Sequence, residues 1–384
     1  MPRNTRALMP LTIRRDTLSS ALASTTTPLT LRSGDPTIAA GRTDERGVEV
    51  NQVKFGVFLP SFIQGEPQDQ HARRLRDFAR HAEELGFDSL WITDHIVTAH
   101  RFYSVSWLDS LMTLSHVAAI TERVRLGTSI LILPVRTPAI LAKEIATLEY
   151  LSGNRYIYGI GTGWYGPEFE ACGVHKPERG ARTDEVLEAT MALFAGPDVH
   201  YDGRYYQLDG VTVEPHLDPL PPVWVAGGSQ LPHEQSPERP EMHPNVLRRI
   251  VDSDGWIART TAPPELIASD LELILEARRE SEVTKPFTIA QENFVWIEEG
   301  SDREAVIAEQ QRRFSAVVSA ERPWDYLASV YIVGTVDEIQ QQIQTRVDMG
   351  IEYMMLHTLT PDLEQLDFFT KYIVEPFANA TATC

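Results

Sequence analysis

Residues 156–163 read Tyr-Ile-Tyr-Gly-Ile-Gly-Thr-Gly, and Trp164 and Tyr165 follow at once. Apolar β-formers run straight into three alternating glycines and then into two bulky aromatics. The pattern predicts a buried strand whose C-terminal end opens onto something large and flat. Glycine there removes the side chains that would keep a ligand from the backbone. The spacing is G-x-G-x-G, whereas a dinucleotide-binding turn needs G-x-G-x-x-G opening a helix. A nicotinamide-binding Rossmann site is therefore not the reading.

On either side of this strand the chain alternates strand with helix. Upstream, Thr137–Leu151 carries Ala139, Ile140, Ile145 and Leu148 at helical spacing, with Gly153 as its stop. Before it come strands at Lys54–Leu59, Ser89–Thr93 and Val124–Thr128, separated by helices at Asp69–Leu85 and Leu108–Ile120. Downstream, a helix at Arg182–Phe194 and a small hairpin at Val199–Val213, turning at Asp202-Gly203, lead to a fifth strand, Pro222–Ala226. Strands at Gly255–Ile257, Phe287–Ile297 and Tyr353–His357 complete the series, each followed by a helical pattern. Eight strand–helix pairs with near-continuous apolar strands predict an α/β chain folded as a (β/α)8 TIM barrel with insertions. A doubly wound open sheet is the alternative, but its first strand needs a phosphate turn, and here that strand ends in Leu59-Pro60.

The formal charge of the 384 residues is −19. The first 52 residues hold seven Arg against five acids, so the remainder carries −21. Such a balance argues against nucleic acid or an anionic membrane as partner. Residues 1–52, rich in Arg, Ser and Thr and without apolar period, are expected to be a disordered extension, with a transit peptide as the alternative. Residues 53–384 are expected to form the barrel domain. Cys172 and Cys384 offer neither a disulfide framework nor metal spacing, which fits a reducing, cytoplasmic setting. No run of 18 apolar residues exists to span a membrane.

In such a barrel, chemistry belongs at the C-terminal strand ends. There the sequence places Asp94-His95, Thr128-Ser129-Ile130, Thr162-Gly163-Trp164, Gly227-Gly228-Ser229 and His357-Thr358. His95 is the natural proton donor or acceptor, or else a structural histidine tied to a carbonyl. Gly227, Gly228 and Ser229, aided by Arg179 or Arg182, could cradle a phosphate, or form a plain turn. Tyr103, Trp107, Trp164 and Tyr165 could line an apolar substrate mouth. Glu149, inside a helix, is expected to serve a packing network. No H-E-x-x-H motif points to a metal, and no G-x-S-x-G elbow points to a hydrolase.

Residues 54 to about 377 resemble the bacterial luciferase-like flavin-dependent oxidoreductases. The resemblance rests on KFGVFLP (54–60), ELGFDSLWITDH (84–95), TERVRLGTSILILP (121–134) and PAILAKEIATLEYLSGNR (138–155). GIGTGW (159–164), RTDE (182–185), VWVAGGS (223–229), DGW (254–256) and VGTVDEI (333–339) follow in order. It implies a flavin or 5-deazaflavin at the barrel mouth, with a non-prolyl cis peptide bulge at Ser129-Ile130 behind the ring. It further implies that Asp94, Thr162 and Gly163 contact the cofactor, that Gly227, Gly228 and Ser229 hold its phosphate end, and that His95 is the catalytic proton donor. The expectation is a monooxygenase that uses reduced FMN and O2 on a small apolar organic substrate. A separate flavin reductase and a homodimer or larger homo-oligomer go with it. The alternative is hydride transfer with the deazaflavin coenzyme F420. Leu231–His243 departs from the family's shorter loop. Phe314–Val330 and the loop after Trp164 are the candidate lids.

Overall fold

The computed structural model describes residues 53–63, 65, 67–229, 242–318 and 322–379. The expected N-terminal extension, residues 1–52, lies outside the described residues, as does all of Leu231–His243 except its last two positions.

Eight parallel strands form the wall: β1 Lys54–Phe58, β2 Ser89–Ile92, β3 Arg125–Thr128, β4 Tyr156–Gly161, β5 Val223–Gly227, β6 Gly255–Ala258, β7 Thr288–Phe294 and β8 Tyr353–His357. Each pairs with its sequence neighbour; β8 pairs with β1 from Lys54↔Tyr353, and Val223↔Tyr158 through Val225↔Ile160 join β5 to β4. The sheet is therefore closed, and no edge strand remains among the eight.

The helices are α1 Gln68–Glu84, α2 Ser110–Ala118, α3 Pro138–Ser152, α4 Gly166–Ala171, α5 Arg179–Ala195, α6 Pro244–Val251, α7 Pro264–Glu280, α8 Arg303–Val317, α9 Trp324–Val330, α10 Val336–Asp348 and α11 Leu363–Phe369. Helix α1 buries Leu75, Phe78, Ala79 and Ala82, its i, i+3, i+4, i+7 stripe. Helix α3 starts on Pro138 and ends where Gly153 turns left-handed at φ 73°. A capping box between Thr335 and Glu338 opens α10. The hairpin is present as Val199–Asp202 against Gln207–Val211, but Asp202 pairs Gln207, so the turn spans four residues and is not a two-residue Asp-Gly turn.

Inside the wall, Phe58, Trp91, Ile157, Trp224, Ile257, Ala290, Tyr353 and Met355 fill the barrel axis. This is a packed core, not a pore. A separate cluster of Phe62, Val105, Trp107, Phe294, Phe314, Leu327 and Tyr331 lies over the mouth, where Tyr103 bridges Val318 at the end of α8. The segments after β2 and after β7 thus meet above the strand ends. Among the described residues no helix is long and apolar enough to cross a membrane, and no metal-ligand cluster occurs.

Candidate active site

The Ser129-Ile130 peptide bond is cis, at the end of β3. The glycines that mark β4 serve this bulge. A β-carbon on Gly159 would overlap the Thr128 carbonyl oxygen, and one on Gly161 would come within 2.7 Å of Ile130 Cδ1. These two glycines therefore admit the neighbouring strand and Ile130, which corrects the expectation that they clear space for a ligand directly. Ile130, held over Gly161 and only part-buried, is the surface that the mouth presents.

His95 follows β2 and is nearly enclosed, its side chain 6% exposed. Its Nδ1 lies 2.9 Å from Glu168 Oε1, and the same oxygen accepts the Ile96 backbone N–H at 2.8 Å. Glu168 comes from α4, the short helix that Pro167 opens just beyond Trp164. An ionised carboxylate only accepts, so a neutral imidazole paired with one carries its proton on Nδ1 and leaves Nε2 as the acceptor on the other side of the ring. Around the imidazole stand Trp107 at 5.1 Å, Tyr103 at 5.7 Å and Trp164 at 6.0 Å between ring centres. Tyr165 packs on Trp164, and Phe102 meets Trp164 edge-on at 4.5 Å. The four expected aromatics therefore do gather around His95, and the loop after Trp164 supplies its carboxylate partner.

Asp94 sits elsewhere. Its oxygens accept from Ser110 Oγ (2.9 Å), the Ile132 N–H (2.9 Å) and Arg136 Nη2 (2.7 and 2.9 Å), and its side chain is 1% exposed. Those four bonds use up the carboxylate. Asp94 thereby braces the segment after the cis bulge.

Ser229 is likewise engaged within the chain. Its N–H donates to Asp270 Oδ2 at 2.7 Å and its hydroxyl to Asp270 Oδ1 at 2.5 Å, with Met242 N–H donating back to Oγ. Both donors meant for a phosphate are spent on a carboxylate of α7. Arg182 is held by Glu178 (3.1 Å) and lies over Tyr205, and Arg179 donates to the Lys176 carbonyl. Gly227 and Gly228 keep their backbone at the end of β5, and Thr162 and Gly163 theirs at the end of β4.

Sequence reasoning passed over the opposite wall. Glu292 on β7 points inward between Ala290 and Phe294, and accepts the Ser129 hydroxyl at 2.6 Å. Burial is the main cause that pushes its carboxyl up to about 7, with bonds from Ser129 and Thr260 opposing. His357 lies between Phe58 and Phe294 in a ring stack of 4.3 and 4.0 Å, and burial lowers its pKa to about 4, so it is neutral. Among the described residues, the hydroxyls of Ser61 and Thr358, buried at the ends of β1 and β8, have no hydrogen-bond partner. The signal for Glu292 was its alternation with Ala290 and Phe294. Glu168 had no local signal.

Residues 53–234 match the model of the family described as luciferase-like monooxygenase. An F420-dependent glucose-6-phosphate dehydrogenase of Kineococcus radiotolerans is 31% identical over 330 residues, 78% of this chain and 90% of that protein. The chain belongs to the luciferase-like family. Among solved structures, the monooxygenase RslO1 of Streptomyces bottropensis superposes with a TM-score of 0.69 at 22% identity, over 85% of this chain and all of that one. An F420-dependent secondary alcohol dehydrogenase holding an F420-acetone adduct gives 0.68 at 20% identity, over 85% and 99%. At such identities these two carry the fold alone. This luciferase-like chain is an oxidoreductase. Relatives covering most of the chain, from Kineococcus radiotolerans and Amycolatopsis mediterranei, are named for the deazaflavin that was the alternative.

Proposed function

We propose that this chain is an oxidoreductase dependent on the deazaflavin coenzyme F420, which dehydrogenates a small hydroxyl-bearing organic molecule. The observation that carries the reading is the His95–Glu168 pair, enclosed by aromatic rings at the barrel mouth. Relatives covering most of the chain, named as F420-dependent dehydrogenases, favour the deazaflavin over FMN.

The residues present fit such a group. Ile130 offers a part-buried apolar surface, and among the described residues the buried hydroxyls of Ser61 and Thr358 lack partners that a polar ring edge can provide. In this reading Ser129, Ile130, Thr162 and Gly163 would hold the ring system, and the Gly227 and Gly228 backbone would hold the acidic end. A bound deazaflavin accepts two electrons as hydride and leaves the proton to the protein. His95 Nε2 takes the substrate hydroxyl proton, and Glu168 holds the imidazole in the right tautomer and stabilises the imidazolium that results. Trp107, Tyr103, Trp164 and Tyr165 enclose the reacting carbon and exclude water.

The test is a titration of the purified chain with F420 and with FMN, followed by anaerobic incubation with candidate alcohols. Tight deazaflavin binding and alcohol-dependent loss of its visible absorbance are expected. Oxygen uptake coupled to an oxygenated product with reduced FMN, and none of this deazaflavin chemistry, would return the chain to the monooxygenase reading and its separate reductase.

A further inference from the structure

Helix α10 turns Ile339, Ile343 and Arg346 toward the barrel wall, at the i, i+4, i+7 spacing of one helix face. Two of the three are ordinary core residues. Arg346 is a cation, and it is only 3% exposed. Its Nη1 donates to the Gln342 carbonyl, one turn back on its own helix, at 2.8 Å. Its buried Nε has no hydrogen-bond partner among the described residues. Burial lowers its pKa to about 10, with no charged group among those residues acting on it, so it remains ionised at neutral pH.

Gln291 on β7 is the matching anomaly. It is fully buried, and among the described residues neither its amide oxygen nor its amide nitrogen has a partner. Ala290 fills the barrel axis, so strand alternation turns Gln291 outward, beneath the helices. There it pairs Met354 of β8. The chain leaves α10 and enters β8 with the Ile351 N–H on the Arg346 carbonyl and the Glu352 N–H on the Ile289 carbonyl. Arg346 thus stands just above the foot of β7 and β8. Its bond to Gln342 leads the guanidinium back up the helix, toward the level of Met354 and Gln291. The flank is right as well. Gln340 donates to the Tyr372 carbonyl on one side of α10, and Arg346 lies about 120° round from it. Gly350, on the face of Arg346, would bring a β-carbon within 3.5 Å of Leu271 on α7. Helices α7 and α10 are the pair that flank β7, so Arg346 leans to the side on which Gln291 lies.

The rest of this layer is apolar, with Ile339, Ile343, Met354, Leu271 and Ile274 all in the main core. Asp270, the buried acid of α7, is engaged by both donors of Ser229. Other enclosed arginines are answered in full. Arg136 has Asp94 and Arg249 has Asp184, while Arg155 and Arg278 each donate to several carbonyl oxygens. Arg346 has one carbonyl of its own helix. A water would complete the hydrogen bonds of Arg346 and Gln291, but it would leave the charge unanswered. A cation removed from water without a counter-charge is costly, so the missing partner is an anion.

We infer that Arg346 Nε and the Gln291 amide nitrogen form an internal seat, between α10 and β7, for a small monovalent inorganic anion such as chloride. The anion accepts an N–H from each, and a water beside it donates to the Gln291 amide oxygen. The seat lies on the outward face of β7, whereas Glu292, the next residue, points inward to Ser129. It is therefore separate from the site around His95 and independent of the cofactor bound there.

The test follows thermal unfolding of the full chain at constant ionic strength, while sodium gluconate, whose anion is too large for the seat, is replaced by chloride or bromide. The midpoint of the wild type should rise saturably, by about 2–4 °C once the halide is tenfold above half-saturation. Arg346→Met and Gln291→Leu should each lose most of that rise. Gln291→Leu keeps the test open should Arg346→Met fail to fold. Crystals of the wild type grown in bromide should show an anomalous peak beside Arg346 and Gln291. No halide dependence in the wild type overturns the seat, and so does a rise that both variants retain, which is the mark of surface screening. A well-ordered water at that place with no bromide signal overturns the anion as well.

Discussion

Glu292 Oε2 lies 2.6 Å from the Ser129 hydroxyl, joining β7 to the cis bulge at the end of β3 across the top of the barrel. Two strands that are not neighbours in the wall are thereby tied through the floor of the mouth. The tie is a protonatable one, with the Ser129 hydroxyl as its donor.

Burial raises the Glu292 carboxyl to about 7, so the group is neutral below that pH and anionic above it. The folded state holds that proton more tightly than the unfolded chain, so stability should fall as pH rises through 7, and Glu292→Gln, which keeps an acceptor for the Ser129 hydroxyl, should show a flatter profile between pH 5 and pH 8.5. Urea denaturation at four pH values checks this, and parallel slopes for the two proteins would remove Glu292 from the account.

The Glu168 carboxylate holds His95 through a single oxygen shared with the Ile96 N–H. Glu168→Gln keeps an acceptor of the same shape but loses the charge that stabilises a protonated imidazole. We expect turnover to fall by roughly 10- to 100-fold with deazaflavin affinity unchanged, and His95→Ala to cost about 100- to 10,000-fold, the usual span for a general base. Steady-state rates beside cofactor binding isotherms measure both. A loss of cofactor affinity matching the loss of rate would mean that the pair holds the fold of the mouth and not the proton.

The barrel was legible because each wall strand is an apolar run and each helix keeps its own period, as in β4 and α1. His95 and its aromatic cage were legible too, since strand ends define the mouth once the barrel is granted. What stayed hidden depended on long-range contacts. Asp270 reaches Ser229 from 41 residues away, and no local pattern says that both phosphate donors are taken. Glu168 meets His95 across 73 residues, through the path of a helix only six residues long. The glycines of β4 were read as space for a ligand, although the atoms that need the space belong to Thr128 and Ile130. Composition cannot tell a neighbouring strand from a cofactor.

Those two glycines should respond differently to the same methyl group. At Gly159 it meets the Thr128 carbonyl oxygen, backbone that cannot yield, so Gly159→Ala should not give soluble folded protein or should lose more than about 3 kcal/mol. At Gly161 it meets Ile130 Cδ1 at 2.7 Å, the far end of a side chain that can turn aside. Gly161→Ala should fold, at a cost of about 1–2 kcal/mol, and weaken deazaflavin binding because Ile130 no longer lies flat. Urea denaturation and fluorescence titration of the two variants give the comparison. Equal stability loss at both positions would show that Ile130 is as rigid as backbone.

Glu149 tests the barrel's other end. It accepts the Tyr156 N–H at 3.4 Å from within α3, is 1% exposed, and burial pushes its carboxyl up to about 7. Its ordinary value is 4.5, so the folded state binds the proton more tightly than the unfolded chain. The stabilisation is whole below pH 4.5 and is lost as pH rises through 7, when the buried group must ionise or the fold must open. A shift of that size corresponds to an upper limit of about 3 kcal/mol between pH 5 and pH 8.5. Glu149→Gln stays neutral and should escape the loss, matching the wild type near pH 5 and exceeding it by about 1–3 kcal/mol at pH 8.5 in urea denaturation. A variant less stable than the wild type at the higher pH would show that the charged carboxylate has a partner that burial alone does not reveal.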